Sequence, residues 1–329
     1  MKSQSLSLSV PLGEFACQII QKNFHRFSDQ EKAVLKDKDS EPLHQMRVGM
    51  RRLRIAIKVF TSAMVLPSVV CEQSIGKIAK RLGKTRDFDV LQDTLLTRYQ
   101  PALLASELAK FQPVLHHLTQ RRRRSFRELK TILKDDRYRM LCQAIQEWLE
   151  MPNYTPMGHL PVVQVLPDLL LPLVCQLLLH PGWLVGATMQ AGAVQLIPLD
   201  EVEALRCDLE QQNSILHDLR KVIKGVRYQA EFFSDFYEST YLHRIEDWKT
   251  IQDRLGGLQD QMVLCGFLNS TLGDTWMQDL PTIAHMIQQE KTEFWYHWQP
   301  LQREYLNLDF RRSLRLLFNH PLESALIVL

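Results

Sequence analysis

The chain has 329 residues, of which 45% are hydrophobic and 23% are charged. These shares are ordinary for a soluble globular protein and exclude a disordered or fibrous chain. The length exceeds the size at which one compact core is usual, so we expect two domains or two halves of a repeat. Because the net charge is only +3, a basic binding surface has to come from local clustering of Lys and Arg.

The cysteines and the apolar stretches indicate a cellular compartment. Six scattered cysteines, without metal-like spacing, predict reduced and mostly buried thiols of a cytosolic protein. Residues 1–13 lack the basic and continuous apolar regions of a secretory signal. The most apolar stretch, residues 160–179, contains three prolines and Asp168, and an Asp is costly inside a membrane. We therefore predict a buried helix here, no membrane span and a cytoplasmic protein.

Helical periodicity dominates the chain, and no run alternates as a sheet strand would. The predicted helices cover residues 11–27, 42–66, 69–82, 101–134, 137–150, 162–179, 200–239, 274–298 and 300–318. Gly83 is the kind of residue expected just past a helix end, so we predict a turn over residues 83–90. We expect Asp87, Asp89 and Asp260 at turns, where a role as helix caps and a role in holding a cation are both open.

The domain boundaries follow from composition. Residues 152–161 contain three prolines, a glycine and an asparagine, which is typical of a linker. We expect an N-terminal tail over residues 1–10 and one domain over residues 11–329. The domain comprises a first helical repeat at about 11–151 and a second at about 162–320. Residues 181–199 have no counterpart in the first repeat and are expected to be an insertion, either a hairpin or a loose loop.

One offset relates two distant stretches of the sequence. Residues 44–60 match residues 217–233 at an offset of 173, the separation of His44 and His217. At this offset Arg47, Arg51, Arg54 and Phe60 correspond to Arg220, Lys224, Arg227 and Phe233. The match continues without a gap from Arg81-Leu82-Gly83 to Arg254-Leu255-Gly256. It indicates two copies of one helical unit.

Both matched stretches read as amphipathic helices with a basic polar face. At about 100° per residue, the basic residues of the first helix fall within an arc of about 80°. They are His44, Arg47, Arg51, Arg54 and Lys58, and those of the second helix are His217, Arg220, Lys221, Lys224 and Arg227. The opposite faces should enter the core; they carry Met46, Met50, Leu53, Ile57 and Phe60 in the first helix, and Leu219, Ile223, Val226, Ala230 and Phe233 in the second. No acidic residue lies between Pro42 and Cys71. The first stripe therefore repels itself unless an anion binds there.

More basic residues support an anion-binding surface. They are Lys77, Lys80, Arg81 and Lys84 after the first stripe, Arg123, Arg127 and Lys130 on the next long helix, and Arg254, with Tyr228 close to the second stripe. Arginine suits phosphate because its planar fork donates two hydrogen bonds, and a histidine ring N–H can donate to a phosphate oxygen. If the two copies pack about a pseudo-two-fold axis, the stripes would line one groove for a polyanion.

At these residues the sequence resembles the CHAD family, the conserved-histidine α-helical domain. The family signature is a His-x-x-Arg-x-x-x-Arg-Arg-x-Arg helix and a second His-x-x-Arg-x-x-x-Lys-x-x-Arg-Tyr helix, matched at residues 44–54 and 217–228. Residues 82–90 also resemble the family's Leu-Gly-x-x-Arg-Asp-x-Asp-Val turn. The second copy departs from this turn, with Gln259 and Met262 at the positions of Arg86 and Asp89. The two halves need not contribute equally.

The resemblance implies an all-α fold of two four-helix bundles related by a pseudo-two-fold axis, with a basic central groove that binds inorganic polyphosphate. It also implies association with polyphosphate granules. Some family members carry a CYTH triphosphatase domain, which we do not expect in this chain. We expect a stand-alone, non-catalytic binding module without a cofactor or metal, whose partners are polyphosphate and other polyanions.

Two other functions remain open from the sequence. Nucleic acid is one, because phosphate contacts alone do not discriminate between polyanions; few aromatic residues lie near the stripes for base stacking. A metal-dependent phosphohydrolase that uses His44 and His217 is the other. Such chemistry generally needs carboxylates to hold the cation, and none share the stripes.

Overall fold

The computed structural model describes residues 9–322, and nearly all of its regular structure is α-helical. The all-α prediction is confirmed. In chain order the helices are α1 (Leu12–Ser28), α2 (Glu31–Lys36), α3 (Glu41–Val59), α4 (Glu72–Thr94), α5 (Ala105–Leu133), α6 (Asp136–Glu150), α7 (Val162–Leu178), α8 (Val202–Ala230), α9 (Ser239–Leu272), α10 (Trp276–Asp279), α11 (Pro281–Leu306) and α12 (Leu308–Asn319). Residues 1–8 of the expected tail lie outside the described residues.

The chain divides into two compact units, residues 1–165 (unit 1) and 166–329 (unit 2). In unit 1, α3 packs against α1 and α4, and α4 packs against α5. In unit 2, α9 packs against α8 and α11, and α12 packs against α9 and α11. The repeated helices α3 and α4 of unit 1 thus correspond to α8 and α9 of unit 2, in the same order.

The apolar faces of the two basic helices enter the cores, as their periodicity predicts. The five apolar positions predicted on α3 and just after it, and the five predicted on α8 and just after it, are each at most 3% exposed. Phe60 meets Phe15 of α1 in an edge-to-face contact, with ring centroids 6.0 Å apart. Burial of one face leaves the basic face of each helix toward solvent or a neighbouring helix.

The expected insertion is a β-hairpin. Strands β1 (Ala187–Gln190) and β2 (Ala193–Leu196) pair in antiparallel register through a two-residue turn. The turn residues Ala191 and Gly192 both have positive φ, at 48° and 80°, as a type I′ turn requires. Buried Gln302 of α11 holds the segment that enters the hairpin, because its Nε2 donates to the carbonyl oxygens of Trp183 and Val185, each at 2.8 Å.

Residues 162–184, which contain α7, are long and apolar enough to span a membrane by length and composition, with a mean hydropathy of 2.0. Their burial is one-sided. Val162, Leu166, Leu170, Val174 and Leu177 are buried, whereas Gln164, Asp168 and Gln176 are exposed. This division into an apolar and a polar face is typical of a helix that packs onto a protein core. It agrees with the predicted buried helix.

The predicted turn at residues 83–90 is wrong. Gly83 lies inside α4 and Gly256 inside α9, and neither has positive φ. Asp87, Asp89 and Asp260 are therefore interior helical residues and not caps. A glycine inside a helix costs about 1 kcal/mol relative to alanine, so its presence needs a packing reason. For Gly256 that reason involves the second basic stripe.

Three predicted helix ends are also wrong, because tertiary contacts override local signals. Helix α3 ends at Val59 and not at residue 66, since residues 63–65 leave the helix to bond residues 153–155. Helix α8 ends at Ala230, whose carbonyl oxygen accepts a hydrogen bond from the Tyr241 hydroxyl at 2.8 Å. Pro300 does not start a new helix but lies inside α11, which buried residues anchor on both sides of the proline.

Candidate anion-binding site

The basic stripe of α3 lies on the side of the helix opposite the core. His44, Arg47 and Arg51 are half-buried, whereas Arg54 and Lys58 are exposed. Half-burial comes from α4, which packs against this helix. The residues nearest the N-terminus of the stripe are thus held against protein, and those at its C-terminal end extend into solvent.

Helix α4 supplies carboxylates beside the stripe, where α3 carries no acidic residue after Glu41. Arg54 pairs with Glu72 at 2.7 Å, and Arg47 lies 3.6 Å from Asp87. The expectation of a stripe without counter-charge therefore applies to α3 alone and not to the folded unit. Both pairs are solvent-accessible, and exposed ion pairs of this kind contribute little to stability. A phosphate chain can take over these arginines at small cost.

The basic residues of α4 continue this surface toward α5. Arg81, Lys84 and Arg124 converge on one carboxylate, Glu128, at 2.6, 3.3 and 3.5 Å. The hydrogen bond from Lys84 and the neighbouring cations lower the pKa of Glu128. Three positive charges around one negative charge leave a net charge of +2.

Two lysines of α4, Lys77 and Lys80, are exposed, and neither forms an ion pair within residues 9–322.

We use the name "α3–α4 surface" for the stripe of α3 with its neighbours on α4. Its members are His44, Arg47, Arg51, Arg54, Lys58, Lys77, Lys80, Arg81, Lys84 and Arg86.

Arg86 belongs to this surface, although from the sequence it stands only within the family-like segment 82–90 and is not among the candidate phosphate-binding residues. Its positive charge acts on His44, and its Nε is buried without a hydrogen-bond partner among the described residues. The predicted turn concealed this arginine, because only a continuous helix through Gly83 places Arg86 beside α3. Recognition of α4 as uninterrupted would have found it.

His44 has an environment that suits an anion. Its Nδ1 is buried and has no hydrogen-bond partner among the described residues. Burial first, and then the charges of Arg86 and Arg47, lower the pKa of His44 below its usual 6.5, against an opposing effect of Glu41. The imidazole is thus desolvated and surrounded by cations, and a bound anion would reverse the electrostatic part of this shift.

His217 of α8 repeats this environment in unit 2. Its Nδ1 is likewise buried without a partner in the described part of the chain. Burial, followed by the charges of Lys221 and Arg220, lowers the pKa of His217. Two histidines at equivalent positions of a repeat therefore share the same unusual surroundings.

The remaining candidates on α8 and α9 differ in exposure. Arg220 and Lys224 are half-buried, and the Arg220 Nε donates to the carbonyl oxygen of Gln252 at 3.3 Å. Lys221 is exposed and pairs with Asp218 at 2.8 Å. Arg254 is exposed and forms no ion pair within residues 9–322.

Arg227 and Tyr228 are buried, unlike the other candidate residues of α8. Arg227 is 9% exposed and Tyr228 is 6% exposed. The Arg227 guanidinium pairs with Glu231, donates from Nε to Gln252 at 3.2 Å and lies 4.3 Å from the Tyr228 ring centroid. The short 3₁₀ helix that follows α8 carries three buried phenylalanines. We therefore assign both residues to the core.

The candidates on α5 face another direction. Arg123, Arg127 and Lys130 are exposed. At about 100° per residue they lie about 100–160° around the helix from Glu128, which contacts α4. The structure therefore does not bring them onto the α3–α4 surface.

The glycines inside α4 and α9 lie beside stripe arginines. A Cβ at position 83 would lie 3.7 Å from the Arg47 Nε, and one at position 256 would lie 3.2 Å from an Arg220 terminal nitrogen. A Cβ at position 256 would crowd Arg220, whereas one at position 83 would fit beside Arg47 without displacing it. The contact at Gly256 is tight, whereas that at Gly83 is an ordinary van der Waals distance.

Gly256→Ala and Gly257→Ala form a matched pair that tests this crowding. Nothing lies within 4 Å of a Cβ at position 257, so Gly257→Ala should raise the free energy of unfolding by about 1 kcal/mol. Gly256→Ala should gain less, because Arg220 has to move, and it should weaken the binding of a phosphate-rich anion about threefold, because it displaces one arginine of the stripe. Urea unfolding and a binding titration measure both effects. Equal behaviour of the two variants would show that Gly256 does not seat Arg220.

The described residues contain no group of three or more His, Cys, Asp or Glu side chains that could hold a metal ion. All six cysteines are free; five are half-buried and Cys207 is exposed, so the prediction of mostly buried thiols is wrong. The site is thus built from cations, two histidines and a few carboxylates. Its chemistry suits attraction of a phosphate-rich anion.

The sequence profile of the CHAD domain matches residues 18–269, a span that includes both basic helices. This chain belongs to the CHAD domain family. The resemblance inferred from the two His-x-x-Arg helices is confirmed, and no CYTH domain is evident. The CHAD family is linked in general to the binding of polyphosphate. No curated protein matches the sequence.

Solved structures agree on the fold. The chain is similar to the CHAD domain from the plant Ricinus communis, with 22% identity and a TM-score of 0.61, over 97% of this chain and 96% of that one. It is also similar to PptA from Streptomyces chartreusis, with 15% identity and a TM-score of 0.56, over 93% and 99% of the two chains. At these identities the similarity concerns the helical fold alone.

Proposed function

We propose that this CHAD protein binds inorganic polyphosphate without catalysing its hydrolysis. The observation that carries the proposal is the duplicated stripe, in which His44 and His217 each keep a buried, unpartnered Nδ1 among arginines and lysines. The α3–α4 surface of unit 1 and the α8 stripe of unit 2 supply the phosphate contacts. That both line one groove stays a prediction from the sequence.

Polyphosphate fits these surfaces better than nucleic acid does. Binding of single-stranded nucleic acid generally uses exposed aromatic rings that stack on bases. Tyr228, the aromatic residue beside the second stripe, is buried. The arginines and lysines can contact phosphate oxygens without reading any base. A cytoplasmic location and association with polyphosphate granules complete the proposal.

A calorimetric titration with long-chain polyphosphate at two salt concentrations tests this function. Affinity should fall steeply as salt rises, because each phosphate contact releases a counterion. Absence of binding at low salt would disprove the proposal. Competition with RNA and DNA separates the nucleic-acid alternative. Metal-dependent release of phosphate that His44→Ala abolishes would instead favour the phosphohydrolase.

The paired histidines predict that binding becomes tighter as the pH falls. In the free protein their pKa values are lowered, so both rings are neutral near neutral pH. A bound anion stabilises the imidazolium form, so binding takes up protons. Affinity should therefore rise as the pH falls through about 6.5, by at most about tenfold per pH unit for each histidine. Fluorescence anisotropy with labelled polyphosphate measures this slope.

The double variant His44→Asn/His217→Asn serves as the control, since protonation of the ligand itself is common to both proteins. Its affinity should change less with pH than that of the native protein. The folding stability of the protein without ligand should depend on pH in the opposite direction to the affinity. It should be highest above pH 6.5 and fall as the pH drops, because the unfolded chain takes up protons on these histidines more readily than the folded chain does. Identical affinity slopes for the two proteins would contradict a role for the histidines.

A further inference from the structure

Helix α5 carries a second line of cations, which we name the α5 strip. Its members are Arg123, Arg127, Lys130 and Lys134, all exposed. Their spacing places them within an arc of about 60° and along about 16 Å of the helix. The strip is thus one side chain wide and four cations long.

The cations of the α5 strip have no acidic partners within the described fold. None of the four residues forms an ion pair within residues 9–322. Their neighbours differ, because Arg122 pairs with Asp37 and Asp89, and Arg124 pairs with Glu128. Arg123 therefore stands apart from the arginines on either side of it.

Helix electrostatics alone does not account for the strip. Cations are favourable in the last turn of a helix, which explains Lys130 and Lys134 but not Arg123 and Arg127. Like charges three or four residues apart oppose the helix by a few tenths of a kcal/mol per pair. The strip contains three such successive pairs. An external anion would relieve this repulsion.

The strip is separate from the α3–α4 surface, since it lies about 100–160° around α5 from Glu128. Unit 2 offers no equivalent, because the residues of α11 that carry charge have mixed signs. They include Glu290, Lys291, Glu293, Arg303 and Glu304. The strip is thus a feature of unit 1 alone, outside the duplicated stripes.

We propose that the α5 strip binds a second polyphosphate chain, so that one protein molecule bridges two chains. This inference rests on the proposed function, which assigns the first chain to the duplicated stripes. A single file of cations suits a flexible linear polyanion. A lipid surface would need exposed apolar side chains beside the cations, and α5 has no large exposed hydrophobic residue. The half-buried Phe126 lies under Arg122 and is not open for base stacking.

Energy transfer between two pools of polyphosphate, one labelled with a donor and one with an acceptor, tests the inference. With limiting protein, the native chain should bring donor and acceptor together. The variant Arg123→Gln/Arg127→Gln/Lys130→Gln should lower this transfer about tenfold while its affinity for a single chain stays within about twofold. Lys32→Gln/Lys36→Gln/Lys38→Gln removes three exposed charges elsewhere in unit 1 and should leave transfer unchanged.

Three outcomes would overturn the inference. Transfer that survives in the strip variant would point to another source of bridging, such as a dimer. A strip variant with weaker affinity for the first chain would place the strip in the first site. Preferential capture of labelled RNA by the strip would make nucleic acid its partner. If the native chain binds no polyphosphate at all, the proposed function itself fails, which the single-chain titration detects separately.

Discussion

The double variant Arg47→Gln/Arg220→Gln is expected to lower polyphosphate affinity on the order of 100-fold, since each charged hydrogen bond contributes about 1.5 kcal/mol and 1.4 kcal/mol is tenfold. These arginines occupy equivalent positions of the repeat, and each lies over a glycine of the neighbouring helix. At Arg220 the backbone surroundings are therefore shaped to hold a guanidinium. Glutamine keeps much of the side-chain volume but loses the charge and the two-pronged donor.

The salt dependence of this variant gives a second readout. Removal of two phosphate contacts should make the slope of log affinity against log salt shallower by about two. Folding should change little, because Arg47 makes only a 3.6 Å ion pair with exposed Asp87, and Arg220 donates one 3.3 Å hydrogen bond to a backbone carbonyl. Titrations at several salt concentrations, with denaturant unfolding alongside, measure both quantities.

A charge-matched control keeps the result specific. Arg139→Gln/Arg312→Gln removes one exposed arginine from each unit, and each of these pairs only with an aspartate of its own helix. This variant should bind nearly as well as the native chain. If both double variants lose affinity equally, binding depends on total charge and not on the stripes.

The basic stripes and the core behind them could be predicted because both depend on local spacing. A 3.6-residue period places Met46, Met50 and Leu53 on one face whatever the rest of the chain does. The repeat strengthens this inference, since the same pattern recurs on α8. The hairpin was one of two alternatives, and its positive-φ turn at Ala191 and Gly192 decides between them.

Features that depend on partners from other helices could not be predicted. Gly83 and Gly256 have the sequence appearance of helix ends. The close approach of Arg220 explains the place of Gly256 inside a helix, whereas an alanine at position 83 would make only an ordinary van der Waals contact with Arg47. Arg227 has the spacing of a stripe residue, but Glu231 and Gln252 hold it in the core. Local periodicity contains no information about which neighbouring segment covers a helix face.

The local sequence also does not show which charges of other helices lie beside a stripe. The absence of acidic residues between Pro42 and Cys71 suggested an uncompensated stripe, whereas Glu72 and Asp87 of α4 approach it in the fold. The predicted turn also separated Arg86 from His44, although a continuous α4 places them together. The net positive charge of the surface survives these corrections, because Lys58, Lys77 and Lys80 form no ion pair within residues 9–322.

Arg122→Gln is expected to lower the free energy of unfolding by about 3 kcal/mol, the low end of the usual cost of removing one partner from a buried ion pair, because Arg122 and Asp37 keep 17% and 27% of their side chains exposed. Arg122 holds two carboxylates: Asp37, at the left-handed end of α2, and Asp89 of α4, at 2.9 Å. Asp89 has only 9% of its side chain exposed. Without the guanidinium, both carboxylates lose their charge partner inside unit 1.

The pH dependence of this loss follows from Asp89. Burial raises the pKa of Asp89 even with Arg122 present, and the guanidinium opposes this rise. Its removal should raise the pKa of Asp89 further, so Asp89 of the folded variant takes up a proton at a higher pH than in the native protein. A raised carboxyl pKa gives stability that is present at low pH and is lost as the pH rises through the folded value. The loss of unfolding free energy caused by Arg122→Gln should therefore be smaller at acidic pH than at neutral pH.

Arg123→Gln is the matched control for Arg122→Gln, because it removes the same charge from the next residue of α5. Because Arg123 is exposed, its replacement should alter stability by no more than about 0.5 kcal/mol. Adding Asp89→Asn to Arg122→Gln should recover part of the lost stability, since no buried charge then lacks a partner at that position. Urea unfolding at neutral and acidic pH measures these differences. An Arg122→Gln variant as stable as Arg123→Gln would mean that the ion pairs with Asp37 and Asp89 do not hold α2, α4 and α5 together.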